Sequence, residues 1–254
     1  MSSVGSESLP HSIAHLRTVA MPVADYRVMP FGIADLDGRL NGGGLRGGAL
    51  HEVASRTCSL VDDAAATLFL AGIAGREAQA LNGLVLWASC RNDLYAPGLA
   101  QVGLCSANVI YAQPNDDAAL LAVVEDAVRD GTPSAVIAEA SRVSMVATRR
   151  LQLVAAEADI PVLLLRRWRG REHDPLSEPS AAWTRWRIAS ASSERLSVAG
   201  VGRARWSVEL ARQRTGGSFS LIVEGSDETG RLAVPAELGH RAAETAGTAR
   251  YAAA

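Results

Sequence analysis

Two short stretches of this 254-residue chain bring charged and aromatic side chains together. Arg166-Arg167-Trp168-Arg169-Gly170-Arg171 is the densest basic cluster, and further on Arg185 and Arg187 alternate with Trp183 and Trp186. Guanidinium groups bind phosphates and aromatic faces receive unstacked bases, which is the chemistry of single-strand nucleic-acid binders. The same residues suit a protein interface. Alternation along Trp183–Arg187 would equally divide them into a core face and a solvated arginine face. All three uses stay open from the residues alone. Residues 141–214 hold 14 Arg against 7 Asp plus Glu, although the net charge of the whole chain is −2. A basic segment on a mildly acidic body points to a polyanion or an acidic partner surface.

Other reactive groups are sparse. Lysine is absent, and all 25 basic residues are arginine, so chemistry that needs a lysine ammonium is excluded. His51 and Glu52 are neighbours on an apolar stretch, where strand alternation sends them to opposite faces, and a structural role is expected for both. Cys58, Cys90 and Cys105 are few, odd in number and lack metal-ligand spacing. No metal site is expected, Cys58 and Cys90 are expected to be buried and inert, and a reducing cytoplasm fits best. The opening MSSVGSESLP lacks a basic then apolar leader, and no apolar run reaches a membrane span's length.

The elements that must position these residues follow from periodicity. Apolar runs at Gly48–Val53, Leu84–Ala88, Asn108–Ala112, Ser134–Ala138 and Ile160–Leu165 read as strands. Helices are expected over Asp62–Ala80, Tyr95–Val102, Asp116–Arg129 and Ser144–Glu157, the third capped by Asn115 or Asp116 and ended by Gly131. Apolar strands alternating with helices predict an α/β fold, with a mostly parallel sheet covered on both faces. Arg166–Ser180 lacks periodicity and reads as a loop. Trp183–Ala189, Arg205–Leu210 and Ser218–Val223 then extend the sheet with antiparallel strands. The expected division is a mobile segment with a short helix over 1–30 (helix at Ile13–Val23), a core over 31–238, and a flexible tail over 239–254.

The most informative stretch is Phe31–Val53, in which Asn41-Gly42-Gly43-Gly44-Leu45-Arg46-Gly47-Gly48 leads into a strand beginning Ala49-Leu50. With Leu94-Tyr95 through Val102-Gly103-Leu104 after the second strand, it resembles the ATPase core of RecA-like recombinases over Phe31–Leu165. That resemblance implies a nucleotide site, and its parts are missing here. A phosphate-binding loop needs Gly-x-x-x-x-Gly-Lys-Ser/Thr, with backbone N–H groups around the phosphates and a lysine on their charge. The corresponding residues run from Ala54, Ser55 and Arg56 to Val61, Asp62 and Asp63, without glycine or lysine and with two carboxylates where phosphates would approach. The catalytic glutamate's place falls on Arg91 or Cys90, and the metal-side carboxylate's place on Glu139 or Ala140. The resemblance therefore implies a degenerate nucleotide site at Ser55, Arg56, Val61, Asp62, Asp63 and Arg91, with no catalytic residue and no cofactor.

Pro179–Arg187 and Gly202–Leu210 extend the likeness. With Gly42–Glu52 they make the chain similar to the ImuA family, RecA-like accessory proteins of bacterial mutagenesis cassettes. What this implies is a non-catalytic RecA-fold adaptor of an error-prone translesion complex in the SOS response. Its expected partners are an ImuB-like Y-family polymerase relative and, through it, a C-family error-prone polymerase. Single-stranded DNA and a RecA filament are further candidates, no membrane is expected, and the setting is the cytoplasm, at the nucleoid when damage is present. The candidate DNA or partner contacts are Arg166, Arg167, Trp168, Arg169, Arg171, Arg185 and Arg187. The alternatives are a SulA-type cell-division inhibitor and an active RecA-like DNA-dependent ATPase.

Overall fold

The structure, a computed structural model, describes residues 26–193, 200 and 202–235. The helix expected over Ile13–Val23, the tail from Gly239 and the end of the expected core at Leu238 lie outside the described residues.

Chain entry sets the first strand in place. A two-residue strand β1 (Val28–Met29) pairs antiparallel with β2 (Leu45–Arg46), and between them lies the short helix α1 (Ala34–Asp37). The glycine run makes this ribbon possible. Gly43 has φ +81, and a Cβ on Gly44 would stand 2.7 Å from the Met29 carbonyl oxygen, so glycine alone fits there. Met29 already belongs to the core, ahead of Phe31.

The central elements follow in strict alternation: β3 (Leu50–Ser55), α2 (Leu60–Leu81), β4 (Val85–Ser89), α3 (Ala96–Gln101), β5 (Val109–Ala112), α4 (Asp117–Asp130), β6 (Ala135–Ala140), α5 (Met145–Ala158) and β7 (Val162–Arg166). Caps mark their ends, with Asp116 and Gly131 at α4 as the sequence predicts. Asp116 accepts the Ala119 N–H at 2.8 Å, Ser144 accepts that of Ala147 at 3.2 Å, and Gly131 closes α4 in the left-handed region. At α2 the cap is Ser59, which accepts the Asp62 N–H at 3.2 Å; Asp62 and Asp63 are thereby left to bond elsewhere.

Three further strands close the fold: β8 (Thr184–Ala191), β9 (Arg205–Gln213) and β10 (Phe219–Glu224). The eight-stranded sheet runs β10-β9-β8-β3-β7-β6-β4-β5, parallel from β8 to β5 and antiparallel across β8-β9-β10. This is the expected mostly parallel sheet with antiparallel strands at one end. Its interior strands are buried on both faces.

Each face has its own core. On one side α2 packs over Val53, Leu163, Leu165 and an aromatic group in which Phe31, Phe69 and Trp186 lie 5.8–6.0 Å apart. On the other, α4 and α5 cover Leu50, Val136, Val162 and Leu164. No described helix is long and apolar enough to cross a membrane.

Candidate functional site

In parallel α/β sheets the strand carboxyl ends point at helix N-termini and collect polar side chains, and a ligand of such a fold binds there. Here β3 ends at Ser55 and α2 begins at Leu60, so four residues, Arg56-Thr57-Cys58-Ser59, make the whole connection. None is glycine. The connection is held by its own side chains: Thr57 donates to Asp62 at 2.5 Å, and Asp62 also accepts the Ser190 N–H at 2.9 Å. Arg56 turns sideways to Glu209 at 2.9 Å. Leu60 and Val61 stand 82% and 63% exposed on the first turn of α2, where a phosphate loop would present polar groups.

The centre of the strand-end region is an arginine. Arg167, the first residue after β7, gives its Nε and Nη2 to Glu139 at 3.0 and 2.6 Å and its Nη1 to Asp63. Glu139, inside β6, accepts the Trp87 indole N–H from β4 at 2.5 Å. One cation thus ties β7, β6 and the N-terminal turn of α2 together. Burial works against the guanidinium charge, but Glu139 and Asp63 outweigh it and hold the pKa above its ordinary value. Trp168 reinforces the closure, its indole N–H donating to the Ser55 carbonyl at 3.0 Å.

A second cluster lies on the α4/α5 face, under the loop that follows β7. Glu52 receives Arg166 at 3.0 Å and Arg185 at 2.6 Å, and all three side chains are buried. Arg166 extends to Glu178 at 2.6 Å, and Arg185 to the Leu176 carbonyl at 3.0 Å. Arg187 pairs with Asp174 at 2.6 Å and with Glu209 at 3.4 Å. Burial alone would raise the Asp174 and Glu178 carboxyl pKa values. The Leu176 N–H and Arg187 at Asp174, and His173 and Arg166 at Glu178, overcome it and lower both.

The candidate contact residues therefore divide. Arg166, Arg167 and Arg185 are interior groups paired with carboxylates, although Arg166 Nε and Arg185 Nη2 keep no hydrogen-bond partner, and Trp168 is half-buried with its N–H taken, so none of the three guanidiniums stands at the surface for a phosphate. Their side chains were needed inside: an isolated charge in a strand core requires a partner, and Glu52 and Glu139 are such charges. Arg169 lies at the surface against Glu178 and His173, while Arg187 is half-buried. Arg171 is exposed, with no hydrogen bond or ion pair among the described residues. Trp186 is core, and Trp183 is held between Arg46 and Arg214 at 4.6 and 5.0 Å.

The residues of the expected degenerate nucleotide site do converge. Ser55, Arg56, Asp62 and Asp63 surround the β3–α2 turn, with Val61 beside them, while Arg91 stands apart after β4, paired with Asp93. His51 proves structural, bonded to Thr184 and to the Arg46 carbonyl. Cys58 and Cys90 depart from the expected burial, Cys58 being exposed and Cys90 half-buried, because both lie in connections outside the strands; Cys105 is exposed, and all three are free. No group of three His, Cys, Asp or Glu among the described residues is placed to hold a metal ion.

Comparison with known proteins agrees with this architecture. Protein ImuA of Caulobacter vibrioides, in strains NA1000 and CB 15, is 35% identical over 205 residues, covering 79% of this chain and 84% of the relative. The crystal structure of the RadB recombinase superposes with a TM-score of 0.55 at 16% identity, over 82% of this chain and 99% of that one, so the fold is that of RecA-like recombinases. No protein-family model matches the chain.

Proposed function

The chain belongs to the ImuA family, and we propose that it serves the SOS response as a non-catalytic RecA-fold adaptor of an error-prone translesion DNA synthesis complex. One observation carries the non-catalytic part: the strand-end region is closed by the chain's own Arg167, held between Asp63 and Glu139. A phosphate chain entering there would meet two carboxylates and a glycine-free turn of four residues, with no lysine in the sequence to neutralise it. The protein's remaining capacity is its surface. In this reading it binds an ImuB-like Y-family polymerase relative and reaches a C-family error-prone polymerase through it, in the cytoplasm and at the damaged nucleoid.

Two measurements test the reading. The purified chain is expected to show no ATP hydrolysis with or without single-stranded DNA. Turnover that disappears when residues 55–63 are changed would overturn the assignment. In gel filtration with the ImuB-like protein from the same cassette, the chain is expected to shift into a complex at micromolar concentration. Separate elution of the two would remove the adaptor role.

A further inference from the structure

Arginines and aromatic rings do come together in this fold, but at the other end of the sheet from the β3–α2 turn. Trp183 precedes β8, and its backbone N–H donates to the Leu50 carbonyl at 2.7 Å, at the amino end of β3. Since β3 has six residues, this end lies about 17 Å from Ser55. Three arginines stand there, each laid over a ring. Arg46 is 4.5 Å from the centre of Tyr26 and 4.6 Å from that of Trp183, Arg214 is 5.0 Å from Trp183, and Arg39 is 5.6 Å from Phe219. Arg39 and Arg214 are exposed and Arg46 is half-buried. None of the three guanidiniums makes a hydrogen bond or ion pair among the described residues.

The carboxylates nearby do not neutralise them. Asp37 accepts the Phe31 and Gly32 N–H groups at 2.8 Å each, Asp159 takes Arg27, and Asp35, four residues before Arg39, makes no ion pair with it. The neighbouring Arg212 feels the excess charge. Burial and then Arg185 lower its pKa, Glu52 opposes them, and Arg214 lowers it further. Two glycine turns, Gly42-Gly43 and Gly216-Gly217, are exposed beside the arginines and are bonded to each other. Asn41 Nδ2 donates to the Thr215 hydroxyl at 2.6 Å, and Gln213 Nε2 donates to the Arg39 and Gly217 carbonyls at 3.0 Å. Arg39 and Arg214 are thereby carried on one bonded unit.

We propose that this face binds single-stranded nucleic acid. Phosphates take the free N–H edges of Arg39, Arg46 and Arg214, and an unstacked base lies on the Arg214 guanidinium, which the Trp183 indole backs. A guanidinium laid on a ring offers a plane as well as N–H donors. An acidic peptide would use the donors alone, and a duplex keeps its bases stacked on one another. The proposal is independent of the adaptor reading, which concerns a protein partner.

The test uses the purified full chain and a labelled oligo-dT strand of about 15 nucleotides, read by fluorescence anisotropy. The wild type is expected to bind at micromolar concentration in about 50 mM salt, with a log–log salt slope of about −2 from three phosphates. Arg39→Ala with Arg214→Ala is expected to weaken binding about tenfold or more and to flatten the slope by about 1.4. Arg214→Lys keeps the charge and loses the plane, so affinity falls about fivefold with the slope unchanged. A strand of the same length without bases is expected to bind wild type about tenfold more weakly than oligo-dT, an outcome that needs no variant to fold. No binding at about 100 µM, equal binding of the baseless strand, a duplex bound as tightly as the single strand, or a double variant that binds like wild type overturns the proposal. So does oligo-glutamate of equal charge that displaces the label as well as unlabelled oligo-dT does, since the ligand is then an acidic protein. The cassette partner keeps the two readings apart. The double variant is expected to form that complex as wild type does, and losing it would make this face a protein interface and overturn the proposal. If wild type itself forms no complex, the adaptor role falls and the oligonucleotide results still decide this face.

Discussion

His51 is one acid-sensitive point of the fold. Its ring is buried on β3, with Nε2 at 2.9 Å from the Arg46 carbonyl and Nδ1 at 2.7 Å from the Thr184 hydroxyl. A carbonyl only accepts, so Nε2 carries the proton. Nδ1 then accepts from Thr184, whose oxygen in turn accepts the Trp186 indole N–H at 2.8 Å. A second ring proton would put two donors on Thr184 and a charge in the core near Arg46. Burial, despite the supporting bond to the Arg46 carbonyl, lowers the pKa from 6.5 to about 4. Between those values the unfolded chain binds the proton and the folded chain does not, so stability rises with pH. The contribution is complete above pH 6.5 and lost as pH falls towards 4. The whole shift is worth about 3 kcal/mol, of which about 2.5 has gone at pH 4.5. Urea denaturation at pH 7 and 4.5, followed by tryptophan fluorescence, reads this directly when wild type is compared with His51→Gln. Wild type is expected to lose about 2.5 kcal/mol more than the variant across that interval, a midpoint difference of about 1 M urea. Equal losses in the two proteins would refute the assignment.

Three further outcomes follow from the same geometry. Arg167→Met leaves Glu139 and Asp63 without their cation and is expected to cost about 3–5 kcal/mol by urea denaturation; adding Glu139→Gln and Asp63→Asn recovers part of that loss. Glu178 and Asp174 have folded pKa values below their ordinary range, so their hold on the post-β7 loop persists above the unfolded carboxylate pKa values and is lost as pH falls through the folded ones. Faster loop cleavage by an acid-active protease at the low end of that window, and not at pH 6, is the expected sign. Trp186→Ala removes the ring that joins Phe31, Phe69 and Phe219 and is expected to cost about 3–5 kcal/mol in the same unfolding assay.

The alternation of elements was legible because each carries a local signature. The strand read as Ser134–Ala138 is observed as Ala135–Ala140, and the helix read as Asp116–Arg129 as Asp117–Asp130, since apolar runs, a capping aspartate and a closing glycine are all neighbours in sequence. Charge placement was not legible in the same way. Arg166 and Arg167 read as the core of a basic patch because their partners are remote: Glu52 is 114 residues from Arg166, and Asp63 is 104 from Arg167. One clue was available. Glu52 and Glu139 each stand in a strand whose residues are all buried, and a carboxylate buried there requires a cation, so the two arginines at the end of the apolar strand β7 were due to turn inward.

That pairing also settles the charge balance at the strand ends. A parallel sheet places helix N-termini and strand carboxyl ends together, and in this chain the region holds Asp62, Asp63 and Glu139. With no counter-charge, these carboxylates would repel one another across a partly desolvated space. Asp62 is neutralised by dipoles, through the Thr57 hydroxyl and the Ser190 N–H. Asp63 and Glu139 share the Arg167 guanidinium, which is planar, permanently charged and forked, so that it bonds both at once. A lysine ammonium has no such fork, and the chain contains none. The internal cation therefore joins α2, β6 and β7 by charge-assisted hydrogen bonds within the chain itself.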